Sequence, residues 1–109
     1  MSLLHLAQNP TLSDIQAYMQ AMVKERGFEG QSPLQQSLML TEEVGELAKC
    51  IRKSHANLSI DTAKKYELDA AGEIADIFIV LTCIANSLDI NIEQAIRNKE
   101  EKNKRRQWR

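Results

Sequence analysis

The 109-residue chain has little of what loop-rich and β-rich folds need, with four glycines, two prolines and 5% aromatic residues. Few segments alternate apolar and polar residues, so the composition favours an all-α fold. Cys50 and Cys83 lack CxxC spacing, which argues against a zinc site or a structural disulfide. A Walker loop, a G-x-G-x-x-G motif and a glutamate followed three residues later by histidine are all absent. These absences remove support for conventional nucleotide-binding loops and for a di-iron bundle.

Two further absences concern location and partners. The amino terminus lacks the basic region of a signal peptide, and no apolar run approaches the roughly 20 residues of a membrane span. The net charge is −1, so no global field points to nucleic acid or to a membrane. We therefore expect one cytoplasmic domain over residues 1–109, with no membrane or nucleic-acid partner. Seven of the 14 Lys and Arg residues lie in the last thirteen positions, where a phosphate-bearing small molecule or a nucleic acid would be served equally well.

Apolar residues at steps of three and four, bounded by capping residues, predict four helices. The predicted ranges are 14–26, 33–54, 62–88 and 92–104, with N-caps at Ser13, Ser32, Asp61 or Thr62, and Asn91. Gly27 is expected to end the first helix in the left-handed conformation. The second half of the third helix is apolar nearly all round, so we expect it to be buried on most sides. In so short a chain, such burial requires a partner subunit.

Two glycines fall inside predicted helices. Gly45 costs roughly 1 kcal/mol relative to alanine in a helix interior, so it indicates either a close approach by a partner helix or ligand, or a tolerated glycine. Gly72 marks a break or a tight contact just before Glu73.

Two pairs of carboxylates enter the apolar stripes of the second and third helices. Glu43 and Glu46 are three residues apart, as are Glu73 and Asp76, so each pair shares one helical face. If the two helices pack antiparallel, the pairs can face each other. Such a cage of four carboxylates can bind hard divalent cations through oxygen ligands, and Mg²⁺ would offset the repulsion between the like charges.

The pattern ExxE, a spacer of 26 residues and then ExxD resembles the motif of the MazG family of all-α nucleoside triphosphate pyrophosphohydrolases. The RGF segment at 26–28 and the basic tail at 99–108 add to the resemblance, which covers most of the chain. It implies a four-helix bundle-like protomer, assembled as a homodimer or a tetramer, that uses Mg²⁺ or Mn²⁺. It also implies attack on the α-phosphorus of a nucleoside or deoxynucleoside triphosphate, yielding monophosphate and pyrophosphate, as in house-cleaning of the nucleotide pool.

Specific roles follow for residues around the cage. Glu42 and Glu46 are our candidates for the general base, since a carboxylate not fully engaged as a ligand can accept a proton. The predicted substrate-binding residues, on one face of the fourth helix, are Lys99, Lys102, Asn103 and Arg106. The resemblance implies a phosphate-binding role for Lys99 and Asn103 in the first place, and for Lys102 and Arg106 in the second. The alternative is a solvated basic helix end favoured by the helix dipole. Related chains place a lysine before the EE pair where this chain has Met39, so no phosphate contact is expected from the second helix.

Two other functions remain open from the sequence. One is a non-enzymatic helical interaction module, and the other is a related phosphohydrolase acting on a phosphoribosyl-nucleotide. A base-recognition pocket cannot be located from the sequence, although Tyr18, Phe28, Tyr66 and Trp108 are available as aromatic platforms.

Overall fold

The computed structural model describes residues 2–55 and 69–106 and contains four α-helices in these ranges. They are α1 (Leu12–Arg26), α2 (Pro33–His55), α3 (Ala70–Ser87) and α4 (Ile92–Lys104). No strand occurs in the described ranges, and the all-α prediction is confirmed. The predicted loop at 56–60, the predicted start of the third helix at 61–68 and the aromatic residues Tyr66 and Trp108 lie outside the described residues.

The first helix begins earlier than its sequence pattern indicates. Thr11 is the N-cap, and its hydroxyl accepts a 3.0 Å hydrogen bond from the backbone N–H of Asp14. The Asp14 carboxylate accepts a 3.0 Å bond from the Thr11 N–H in return. The prediction of Ser13 as the cap is wrong, because this reciprocal pair satisfies two N–H groups and places a negative charge in the first turn. Gly27 ends the helix at φ 77°, as predicted.

The caps of α2 and α4 are those that the sequence indicates. Ser32 Oγ accepts a 3.2 Å hydrogen bond from the Gln35 N–H, while Gln35 Oε1 accepts a 2.9 Å bond from the Ser32 N–H. Asn91 Oδ1 accepts a 2.9 Å bond from the Gln94 N–H at the start of α4. The α4 bounds match the prediction, and α2 extends one residue further, to His55. Local capping chemistry therefore sets these helix ends.

The start of α3 contains the tight contact expected at Gly72. Asp69 is the N-cap, and its Oδ1 accepts a 2.8 Å hydrogen bond from the Gly72 N–H. A Cβ atom placed on Gly72 would collide with the Asp69 carboxylate. Glycine is thus the residue that lets this carboxylate close over the helix end.

Helices α2 and α3 pack antiparallel and make the most extensive contact in the fold. Near the start of α2, Gln36 Oε1 accepts a 3.0 Å hydrogen bond from the hydroxyl of Ser87, the last residue of α3. Seven residues later in α2, Glu43 approaches Glu73 and Asp76 near the start of α3. The two helices therefore form a hairpin-like pair with a groove along their contact.

Gln16 of α1 ties the end of α3 to the start of α4. Its Nε2 donates to Asn86 Oδ1 at 3.0 Å and to the Ile90 carbonyl at 2.8 Å, and its Oε1 accepts from the Ile92 N–H at 2.9 Å. Asn86 Nδ2 donates back to the Gln16 carbonyl at 2.9 Å. The Gln16 side chain of α1 therefore holds the turn between α3 and α4 in place.

The hydrophobic core within one chain is small. Among the described residues, the buried apolar side chains are Met19, Met22, Cys50 and Ala85. In the single chain, Ile74 is 57% exposed and Leu81 is 46% exposed, so the predicted burial of α3 against a partner subunit stays a prediction. Among the four described helices, α1 and α2 pack most extensively on α3, and they leave Ile74 and Leu81 exposed.

By length and composition alone, α3 could cross a membrane, against our expectation that no segment approaches this limit. The apolar core helices of many proteins meet the same criterion. The two carboxylates of Glu73 and Asp76 lie in its first half, beside Glu43 of α2, where a lipid environment would be costly for them.

Candidate metal centre

Three of the four predicted metal ligands meet in the groove between α2 and α3. Carboxylate oxygens of Glu43, Glu73 and Asp76 all lie within 4.8 Å of one another. Glu43 and Glu73 are partly buried, whereas Asp76 is exposed. The three-residue spacing of Glu73 and Asp76 puts both on the side of α3 that faces α2, and the antiparallel packing brings Glu43 to the same level.

Glu46 lies outside this group of three but close to it. It is exposed on α2, three residues beyond Glu43, and its charge still acts on Glu73. Glu42, the other predicted general base, is also exposed on α2. The assignment of Glu46 as a metal ligand, and of Glu42 or Glu46 as the base, stays a prediction.

The electrostatics of the group centre on Glu73. Partial burial raises the pKa of its carboxyl, and the negative charges of Glu43, Asp76, Glu46 and Asp69 raise that pKa further, in that order. Each of these charges favours the protonated, neutral form of Glu73. A bound cation would reverse this effect, because it favours ionised carboxylates.

The donor set fits a hard divalent cation. At a metal–oxygen distance of about 2.1 Å in octahedral geometry, ligand oxygens lie about 3.0 Å apart when adjacent and about 4.2 Å when opposite. The observed limit of 4.8 Å is therefore within a small side-chain movement of a coordinating arrangement. All three donors are carboxylate oxygens, which suits Mg²⁺ or Mn²⁺ better than softer metals.

The residues predicted to bind phosphate lie elsewhere in the chain. Lys99 and Asn103 line an apolar cleft of about 440 Å³ between α3 and α4, together with Phe78. Phe78 is two residues from Asp76, a rotation of about 200°, so this cleft opens on the other side of α3 from the acidic group. Lys102 and Arg106 are exposed near the end of α4. The assignment of these four residues to phosphate binding stays a prediction.

Sequence reasoning missed Asp69, which both caps α3 and adds to the negative potential at Glu73. A signal for it was present, since an aspartate three residues before a glycine and just ahead of an apolar run is a typical N-cap. It also missed Gln36, a polar residue on an apolar helix that is only 5% exposed.

Carboxylates gathered between two antiparallel helices of an all-α chain form the kind of oxygen-donor set that metal-dependent hydrolases use. The model of the MazG nucleotide pyrophosphohydrolase domain matches residues 31–108. The chain belongs to this family, and it is a hydrolase of pyrophosphate bonds.

The chain is also similar to relatives of known sequence and structure over most of its length. YpjD of Bacillus subtilis strain 168 is 39% identical over 88 residues, which cover 78% of this chain and 76% of that protein. The crystal structure of YpjD from Bacillus subtilis has a TM-score of 0.76 at 33% identity and covers 93% of this chain and 100% of that one. The Bacillus-conserved MazG protein, a nucleotide pyrophosphohydrolase, has a TM-score of 0.75 at 29% identity, covering 93% and 97%.

Proposed function

We propose that the protein is a Mg²⁺-dependent nucleotide pyrophosphohydrolase that cleaves nucleoside or deoxynucleoside triphosphates to monophosphate and pyrophosphate. The observation that carries the proposal is the convergence of Glu43, Glu73 and Asp76 from two helices. A cluster of negative charge repels a triphosphate unless cations lie between the two. The carboxylates and the triphosphate therefore both require a divalent cation. A house-cleaning role in the cytoplasmic nucleotide pool would follow from this activity.

The side chains have distinct tasks in this proposal. Glu43, Glu73 and Asp76, with Glu46 beside them, would hold the cation. When bound, Mg²⁺ would supply positive charge to the phosphate oxygens and make a coordinated water more acidic. Glu46 is exposed next to the group of three, which leaves its carboxylate available to accept the proton of the attacking water. Glu42, one residue before Glu43, is the second candidate for this role.

The protein is further proposed to act as a homodimer or a tetramer. Val44 and Ile51 on α2, and Ile74 and Leu81 on α3, are each 46% to 57% exposed. Each pair is spaced by seven residues, so each forms a stripe along its helix. Covering these stripes with a second copy would remove from water an apolar surface that one chain leaves open. A Cβ atom added to Gly45 would meet no atom within 4 Å in this chain. Gly45 therefore leaves room for the close approach of a partner helix.

Assembly would also offer a role for the basic end of α4. In one chain, Lys99 and Asn103 line a cleft on the far side of α3 from the acidic group. A neighbouring subunit could bring its own α4 to that group, where the cations of Lys99, Lys102 and Arg106 would contact the phosphates.

The test is a pyrophosphate-release assay on the purified full chain with the four ribonucleoside and four deoxyribonucleoside triphosphates. We expect release with Mg²⁺ or Mn²⁺, none with excess chelator, and monophosphate as the second product by chromatography. Glu73→Gln and Asp76→Asn should each abolish turnover. Glu101→Gln is the matched control and should retain turnover, because the ion pair of Glu101 with Lys104 is exposed and contributes little.

The absence of metal-dependent release from every triphosphate would refute the proposal. Cleavage of a phosphoribosyl-nucleotide in place of triphosphates would assign the same chemistry to another substrate.

A further inference from the structure

A second cavity lies on the α2–α3 pair about two helical turns from the acidic group. It has a volume of about 490 Å³ and is bounded by α1, the start of α2 and the end of α3. Gln36 and Cys83 line it. Each lies seven residues, or about 10.5 Å, along its helix from an acidic residue: Gln36 from Glu43, and Cys83 from Asp76. Seven residues are almost two whole turns, so cavity and acidic group occupy the same side of the α2–α3 pair.

The wall of the cavity includes a largely buried glutamine whose amide N–H is open to a ligand. Gln36 is only 5% exposed, and its Oε1 accepts the Ser87 hydroxyl. Its amide nitrogen donates no hydrogen bond to any residue in the described ranges 2–55 and 69–106. Gln36 Nε2 is not among the buried unpartnered atoms of the described residues, so it opens to the cavity, where an acceptor on a ligand can take the place of water.

The remaining walls suit a flat, neutral group. Phe28 lines the cavity and is 48% exposed, so its ring is open to stacking. Burial raises the pKa of the Cys83 thiol, which keeps this wall uncharged at neutral pH. Lys24 and Glu29 also line the cavity, and their opposite charges give it no strong net field. A nucleobase meets these conditions, whereas a triphosphate does not.

The separation between the two sites matches a nucleotide. About eight covalent bonds of about 1.4 Å join the α-phosphorus to the far edge of a base, which gives a reach of about 10 Å. We propose that this cavity receives the nucleobase of the substrate, and that the free amide N–H of Gln36 selects bases that present an acceptor to it. The cavity volume lies within the usual range of small-molecule sites, about 300 to 1000 Å³. This inference rests on the proposed function, because it assigns the base of that substrate.

The experiment compares kcat/KM for the four deoxynucleoside triphosphates in the full-length wild type, Gln36→Leu, Gln36→Glu and Gln94→Leu. Gln36→Leu should lower kcat/KM for the preferred nucleotide about 10-fold, mainly through KM, and narrow the spread among the four. Gln36→Glu replaces the donor by an acceptor of the same shape, so it should shift preference towards bases with an amino group. Gln94→Leu makes the same chemical change on exposed α4 and should leave the ranking unaltered.

Two results would overturn the assignment. The first is a Gln36→Leu protein that melts like wild type but changes kcat/KM by one common factor for all four nucleotides. The second applies if Gln36→Leu does not fold: an unchanged ranking of the four nucleotides in Gln36→Glu would also overturn the assignment.

Binding of the four deoxynucleoside monophosphates, measured by calorimetry without metal, separates this inference from the proposed function. A protein that hydrolyses no triphosphate but binds monophosphates through Gln36 retains the base cavity. A protein whose monophosphate affinities are equal for all bases and unaffected by Gln36→Leu does not have one.

Discussion

Replacing Gln16 by leucine tests whether α1 holds the junction between α3 and α4. The substitution removes three side-chain hydrogen bonds of 2.8 to 3.0 Å, to Asn86 Oδ1, to the Ile90 carbonyl and from the Ile92 N–H. Each such bond contributes about 0.5 to 1.5 kcal/mol net, and water can replace part of what is lost at this partly exposed junction. We expect the free energy of unfolding to fall by about 2 kcal/mol, equivalent to a decrease in Tm of roughly 8 °C or more for a domain of this size.

The assay is urea unfolding followed by circular dichroism, at fixed protein concentration because assembly would add to apparent stability. Gln16→Glu keeps an oxygen for the Ile92 N–H but loses both donated bonds, so its loss should be intermediate. Gln94→Leu removes one exposed hydrogen bond within α4 and should cost less than about 0.5 kcal/mol. A Gln16→Leu protein as stable as Gln94→Leu would refute the reasoning, because the three bonds would then contribute nothing.

Three further predictions concern the acidic group, the start of α3 and the apolar face. The raised pKa of Glu73 means that its ionised form disfavours the folded state, so without metal the stability should fall as pH rises from the ordinary value of 4.5 through the raised one. Glu73→Gln should therefore raise Tm in chelator at pH 8 and lose this advantage below pH 4.5, as thermal melts across pH would show. An equal advantage at both pH values would point to packing instead. Gly72→Ala should lower the free energy of unfolding by about 1 kcal/mol, because its Cβ would displace the Asp69 cap, and a stability equal to wild type in urea would contradict that contact. Leu81→Glu should shift the protein towards monomer in sedimentation experiments, whereas an unchanged mass would show that this face is not the interface.

Helix content was predictable because the information is local. Two helix caps join residues three positions apart, namely Ser32 with Gln35 and Asn91 with Gln94. Such short-range pairs can be predicted from the sequence. The same rule misplaced the start of α1, since Ser13 and Thr11 are both good caps. Only the carboxylate of Asp14, which completes the pair with Thr11, decides between them.

The acidic group was predictable in part. Two ExxE-like pairs on apolar helices were enough to anticipate that Glu43, Glu73 and Asp76 would meet. The position of Glu46 depends on how far α2 is rotated about its axis, which periodicity fixes only to within a fraction of a turn. The cavity at Gln36 could not be anticipated, because its walls come from three helices that are distant in sequence.

The exposure of α3 has a different cause. Hydropathy predicts that a surface will be buried, but it does not predict whether the atoms that bury it belong to the same chain. The sequence therefore indicated burial correctly as a tendency, while the single chain leaves Ile74 and Leu81 open.

If the cavity at Gln36 receives the base, the seven-residue interval between Gln36 and Glu43 limits which insertions α2 can accept. A one-residue insertion between them would swing one side chain by about 100° relative to the other and move it by only about 1.5 Å. Lineages that acquire larger or smaller substrates are therefore expected to alter the amino acids around the cavity while α2 keeps its length. Natural insertions should be concentrated instead outside the stretch from Gln36 to Glu43, where no such register has to be preserved.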